Sequence, residues 1–370
     1  MINALITGSN GFVAKNFINH NLNKKVNFLL FNKKTKFSDL KTMLSKCNII
    51  FHFAGVNRSH KKKNFYLGNI LLTKFLVKNI RNKIPIIYLS TIKVNENSIY
   101  GISKKKSEDI LKNFCSSNKL PLFILRLPNL FGKWSKPNYN SVVSTFCYNI
   151  LKNYKVSNKF PKKKIKLLYI DDLVIFLNRL LYKKKFKNKI TIYSKFKTYS
   201  VTLEKLESII RSFKEIRTKN IYDTISSNLS SKLYSTYISF CDNKDLIYSF
   251  KNSEDKRGNF VEFFKSKKLG QVSFFKILPK QTRGMHFHQS KTEKFLLIKG
   301  KVEMRFKNIK DKKSFKIILS DKNNFIVDTI PGYYHDIKNL SNKESIVLLW
   351  SNQIFNIKKP DTIPIKYEEI

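Results

Sequence analysis

Short apolar runs recur through the first part of the chain, at ALITG (4–8), FLLF (28–31), IIFHFAG (49–55), IPIIYLS (84–90) and LFILRLPNLFG (122–132). The mixed segments between them are long enough for helices. Buried strands alternating with crossover helices predict an α/β fold, a Rossmann-like doubly wound parallel sheet. Beyond about residue 245 the texture changes to closely spaced alternating segments: FVEFF (260–264), QVSFFKIL (271–278), EKFLLIKG (293–300), KVEMRF (301–306) and SIVLLW (345–350). Gly, Asn, Asp and Lys turns separate them, which predicts an all-β barrel or jelly roll. The stretch 240–255 is polar and aperiodic, so the expected domains are 1–245 and 246–370. A length of 370 residues suits two cores better than one.

No apolar run approaches membrane-spanning length, and Met1 leads directly into a strand and a glycine loop, so the expected protein is cytoplasmic. The four cysteines, Cys47, Cys115, Cys147 and Cys241, show no paired spacing and read as reduced packing thiols. Seventy-two basic against 25 acidic residues give a formal charge of +47. Such a charge usually suggests a nucleic-acid partner. Here lysine is spread along the whole chain beside Asn, Ile, Phe and Tyr rather than gathered on one face, and no base-stacking platform is evident. Nucleic acid is therefore not the expected partner, although the field favours an anionic small substrate.

The first strand closes on Thr7, Gly8, Ser9, Asn10, Gly11, Phe12, Val13 and Ala14, a TGxxGxxA loop opening a helix. Gly8 and Gly11 let the backbone approach a pyrophosphate, and helix N–H groups meet its charge. The second strand ends in Phe31, Asn32, Lys33 and Lys34, with no acid to hold the ribose hydroxyls of NAD. Lys33 instead suits the extra phosphate of NADPH. Downstream, Ser90 and Thr91 end a strand, and Tyr100 and Lys104 stand four apart on one helix face. An ammonium beside a phenol is expected to lower its pKa and make Tyr100 a proton donor to a carbonyl, with a strand-end hydroxyl polarising the same oxygen.

This ordered set resembles the extended short-chain dehydrogenase/reductase family that acts on nucleotide sugars, over about residues 1–240. Further segments carry the likeness: His52-Phe53-Ala54-Gly55 resembles the cofactor-contacting HxAG, Asn69 the family asparagine, Arg126 to Asn129 the RxxN segment, and Tyr169 to Asp172 the YVDD segment. The resemblance implies a catalytic set of Thr91, Tyr100 and Lys104, with Ser90 the lesser hydroxyl candidate. It also implies cofactor contacts at Ala54 and Gly55, and a sugar-nucleotide contact at Asn129.

In the second domain His286, His288, Glu293 and Gly300 have the spacing HxHx4Ex6G. Two histidines two apart share a strand face, and Glu293 is expected on the returning strand of the same hairpin. His335 in GYYHDIKN supplies a third imidazole for a divalent metal. These segments resemble the two cupin motifs. A reductase followed by a cupin resembles the bifunctional enzymes of capsular polysaccharide synthesis, supported by the stretches 128–150, 233–240, 254–263 and 270–300. That resemblance implies zinc as the metal and a homodimer. It also implies a UDP-2-acetamido-2,6-dideoxy-4-ketohexose substrate, epimerised at C3 and then reduced at C4 by NADPH to UDP-2-acetamido-2,6-dideoxy-L-talose. The alternatives are a redox-neutral epimerase or dehydratase retaining NAD, and a non-catalytic nucleic-acid-binding scaffold.

Overall fold

The computed structural model describes the chain apart from residues 23–24, 220–221, 223–224, 226, 250–252, 256–257, 261–269 and 354–359. The expected strand at FVEFF thus lies, beyond Phe260, outside the described residues, as does part of the 254–263 stretch. The chain forms two compact units, one of Met1–Ser141 with Ile165–Ser200 and the other of Val142–Lys164 with Val201–Ile370.

In the first unit six parallel strands lie in the order Val26–Phe31, Ile2–Thr7, Ile49–His52, Ile86–Thr91, Leu122–Leu127 and Ile190–Tyr193. Every residue of Ile49–His52 and Ile86–Thr91 is buried. That accounts for their reading as unbroken apolar runs, because a strand covered on both faces has no polar side. Leu5, Ile50, Ile86, Leu122 and Ile124 from the sheet pack with Leu40, Leu44, Leu76 and Leu111 from helices. The strand order reverses between Ile2–Thr7 and Ile49–His52, so a crevice opens at the carboxyl ends of these two, the place where open α/β sheets bind ligands.

The second unit carries two five-stranded antiparallel sheets. One contains Ile247–Ser249, Phe325–Asp328, Glu293–Lys299, Ser345–Ser351 and Gln271–Ile277. The other contains Ser314–Ser320, Lys301–Asn308, Tyr333–Asn339, Thr282–Phe287 and Ile363–Pro364. Val302, Met304 and Phe306 alternate inward on one strand and meet Phe295, Leu297 and Val347 from the facing sheet. The helices Val142–Leu151, Leu203–Lys219 and Asn228–Ile238 belong to this unit as well. Arg217 on the middle helix reaches to 3.7 Å from Asp328, which also pairs with Lys294 at the heart of the first sheet. Tyr222, Tyr234 and Tyr248 surround this buried charge cluster.

Candidate active site and metal cluster

The glycine loop sits in the crevice at the strand reversal. Gly8 has φ +69°, and a Cβ there would lie 2.7 Å from Ala54 Cα, so only glycine lets the first loop pass the end of the third strand. His52 holds the two strand ends together: its Nδ1 is 2.7 Å from the Thr7 hydroxyl and its Nε2 is 3.0 Å from that of Thr73. Burial pushes its pKa down to about 3, so it serves as a neutral clamp between the strand ends. Asn69 lies in a π-helical turn, Tyr66–Leu71. Its amide brackets Val56, accepting from the N–H at 2.7 Å and donating to the C=O at 3.0 Å, and also donates to Ser103 at 2.8 Å.

The proton-transfer groups meet on the far wall of the crevice. Ser98 caps the helix Ile99–Ser117 by accepting from Gly101 N at 3.1 Å, which presents Tyr100 and Lys104 toward the strand end at Thr91. Burial raises the Tyr100 phenol above its ordinary value, and the neighbouring Thr91 hydroxyl works the other way. The expectation of a lowered phenol is therefore not met. Burial is the largest influence on the phenol, and it also presses the pKa of Lys104 down to about 7, with Glu108 opposing that shift. Lys104 Nζ lies 4.0 Å from the centroid of the Tyr88 ring, a face that holds its ammonium in a dry setting.

Ser90 also lines the crevice, but its hydroxyl hydrogen is committed to Glu108 Oε1 at 2.6 Å. Arg126 grips the same carboxylate with Nε at 3.0 Å and Nη2 at 2.6 Å. Burial would raise Glu108, but Arg126 and Ser90 hold it below the ordinary carboxylate range. Spacing alone could have found Glu108, since it stands one turn past Lys104.

A cavity of about 710 Å³ gathers Gly8, Asn10, Gly11, Phe12, Val13, Gly55, Thr91, Tyr100, Lys104 and Asn129 on one surface. Ala54 supports it from behind Gly8, while Lys33 stands exposed in the turn after the second strand and does not line it. Asn129 donates to Lys166 O at 3.2 Å. Trp134 also lines the cavity and has φ +65°, a strained backbone of the kind found at functional sites. Asp171 of the YIDD segment instead pairs at 2.7 Å with the buried Lys133 and anchors the loop that carries Trp134.

In the second unit His286, His288, Glu293 and His335 converge, with one ligand atom from each within 4.8 Å of the others. His286 and His335 face each other across paired strands, and a bulge at Gly284 and Met285 turns the His286 strand locally. Glu293 is not on the returning strand of that hairpin: it opens Glu293–Lys299 in the facing sheet, so the four ligands close on a point between sheets. The Nε2 atoms of all three histidines are buried and make no hydrogen bond. Those of His288 and His335 lie 3.2 and 3.4 Å from Glu293 Oε2. Burial pushes His286 down to about 3 and lowers His335 too. Burial alone would raise Glu293, yet His288 and His335 hold it well below the carboxylate range. Three buried imidazoles with orphaned nitrogens converging on one carboxylate fit a divalent metal.

Residues 4–194 match the profile of the NAD dependent epimerase/dehydratase family. The chain belongs to that family. Residues 253–363 match the polysaccharide biosynthesis C-terminal domain, so this family member carries a second recognisable module. The chain is 36% identical over 97% of its length, and 97% of the relative's, to UDP-2-acetamido-2,6-beta-L-arabino-hexul-4-ose reductase of Pseudomonas aeruginosa. Among solved structures it resembles the capsular polysaccharide assembling protein CapF from Staphylococcus aureus, with 32% identity, TM-score 0.65, and 99% of this chain and 100% of that one covered. UDP-glucuronic acid 4-epimerase from Bacillus cereus shares the epimerase/dehydratase fold, at 15% identity, TM-score 0.56, 65% of this chain and 98% of that one.

Proposed function

We propose that the chain is a bifunctional nucleotide-sugar enzyme. Its second unit epimerises a UDP-2-acetamido-2,6-dideoxy-4-ketohexose at C3, and its first unit reduces the C4 ketone to UDP-2-acetamido-2,6-dideoxy-L-talose. The reading is carried by the convergence of Thr91, Tyr100, Lys104, the glycine loop and Asn129 on one cavity. Full-length similarity to a reductase of a keto-sugar nucleotide supports it.

Gly8–Val13 and Gly55 would hold NADPH, with Lys33 available to its extra phosphate, and the cofactor would supply the hydride. Tyr100, a phenol that burial shifts further upward, is neutral at neutral pH and is placed to give its proton to the C4 oxygen as that oxygen becomes an alkoxide. Thr91 accepts from Lys93 N at 3.2 Å, which leaves its hydroxyl hydrogen to polarise the same oxygen. Lys104, charged in part near neutrality, supports the phenol as its proton departs. Asn129 meets the sugar nucleotide at the mouth.

At the second site His286, His288, Glu293 and His335 would hold one divalent ion; three imidazoles and a carboxylate suit Zn, Mn, Fe or Ni, and zinc is the one that the resemblance to the capsular enzymes implies. Such an ion would supply a Lewis acid where a C4 ketone acidifies the proton at C3. Reduction then removes the ketone and traps the new configuration. A homodimer built on the second unit completes the proposal.

The test is oxidation of NADPH, followed by nicotinamide absorbance, on a UDP-4-keto-6-deoxy-N-acetylhexosamine. Tyr100→Phe should cut turnover by about 10²–10⁴-fold while cofactor binding persists. Failure of the folded wild-type chain to oxidise NADPH would overturn the reading.

A further inference from the structure

The metal cluster has a partner far along the chain. The C-terminal segment returns to the strand that carries the first ligands: Ile363 pairs with Phe287, and Ile365 N donates to Met285 O at 3.2 Å. Ile363, Ile365, Tyr367 and Ile370 pack with Phe287, Ile309 and Tyr334. Phe287 lies between His286 and His288, and Tyr334 immediately precedes His335. The tail is thereby seated against the neighbours of three of the four ligands.

At the head of this segment, Asp361 makes two kinds of contact with the loop that carries His288. Its carboxylate receives the N–H groups of three successive residues, Gln289 at 2.8 Å, Ser290 at 2.8 Å and Lys291 at 2.7 Å. The Ser290 hydroxyl adds a fourth donor at 2.8 Å. Successive amides closing on one anion form a rigid nest. Its backbone carbonyl meanwhile takes a hydrogen bond from His288 Nδ1. A carbonyl can only accept, so Nδ1 carries the proton and Nε2 presents its lone pair to the cluster. One residue thus fixes the loop and selects the ligand tautomer.

We propose that Asp361 is a positioning residue for His288, through which the C-terminal tail sets the affinity of the four-ligand cluster for a divalent metal. The proposal rests on the reading of that cluster as a metal site. The carboxylate nest holds the main chain of 361 in place, and the carbonyl so held orients the imidazole. Outer partners of this kind are worth about 10–100-fold in metal affinity.

The test uses the full chain stripped of metal, titrated with Zn²⁺ against a chromophoric chelator and with Co²⁺ by visible absorption. Asp361→Ala should weaken Zn²⁺ binding by about 10–100-fold and change the Co²⁺ ligand-field bands. Asp361→Asn, which sets an NH₂ group against the nest amides, should shift both readouts the same way. Ser290→Ala removes one donor and leaves the carboxylate, so it should give a smaller loss and keeps the test open if Asp361→Ala fails to fold. NADPH binding by the first unit should stay unchanged throughout. Wild-type affinity and an unchanged Co²⁺ spectrum in the Asp361 variants, with only lowered thermal stability, would make the residue a structural strap and overturn the proposal. If the wild-type chain itself takes up neither ion, the metal reading falls and this proposal goes with it.

Discussion

The Ser90 hydroxyl donates to Glu108 at 2.6 Å, which separates two adjacent hydroxyls that the sequence leaves as rivals. Thr91 faces Tyr100, whereas Ser90 serves a buried carboxylate. Thr91→Ala should lower the rate constant for reduction by about 10²–10³-fold, the size of one lost oxyanion donor. Ser90→Ala should leave turnover within a few-fold and lower stability by about 1–3 kcal/mol, as a buried acceptor loses a donor. Single-turnover kinetics and thermal melting of the two variants check this. Equal catalytic losses would show that the assignment is wrong.

Glu108 also acts at a distance on Lys104, whose pKa burial lowers to about 7. A lysine is charged below its pKa, so the ammonium behind Tyr100 is present on the acid side and lost as pH rises through this value. kcat/KM for reduction should therefore fall on the alkaline side with an inflection near neutrality. Glu108→Gln removes the negative charge that opposes the shift, so the inflection should move to lower pH. A pH profile of both proteins decides it; an unmoved inflection would mean that the charge of Glu108 does not reach Lys104.

Asp328 in the second unit neutralises Lys294 and stands 3.7 Å from Arg217, all three largely shielded from water. Removing the single acid strands two buried cations. Asp328→Ala should destabilise the chain by about 3–5 kcal/mol, measured by denaturant unfolding. A loss under about 1 kcal/mol would show that water or rearrangement covers the cations.

The chemistry was legible wherever it is local. TGxxGxxA, YxxxK and HxH work by residues a turn or a pleat apart, and periodicity alone places those on one surface. The alternation of apolar runs likewise announced a parallel sheet followed by antiparallel ones. Pairings between distant segments were hidden. Glu293 lies close to His288 in sequence, which suggested one hairpin, yet the chain crosses to the facing sheet between them. Asp361 reaches a loop more than sixty residues earlier through hydrogen bonds that no periodic pattern records. The raised phenol of Tyr100 depends on how much protein covers it, and a motif says nothing of desolvation.

The strand Val26–Phe31 is the outermost of the parallel sheet, and of its six residues only Phe31 is buried. The turn that would tell one nicotinamide cofactor from the other, Asn32 to Lys34, hangs from this rim rather than from the buried centre. Asn32 there touches the rest of the crevice lightly, through Ser9 at 3.4 Å. Substitutions in that turn disturb little packing, so the choice of electron donor is free to drift through evolution, or to be re-engineered, while the proton-transfer wall at Thr91 and Tyr100 stays as it is.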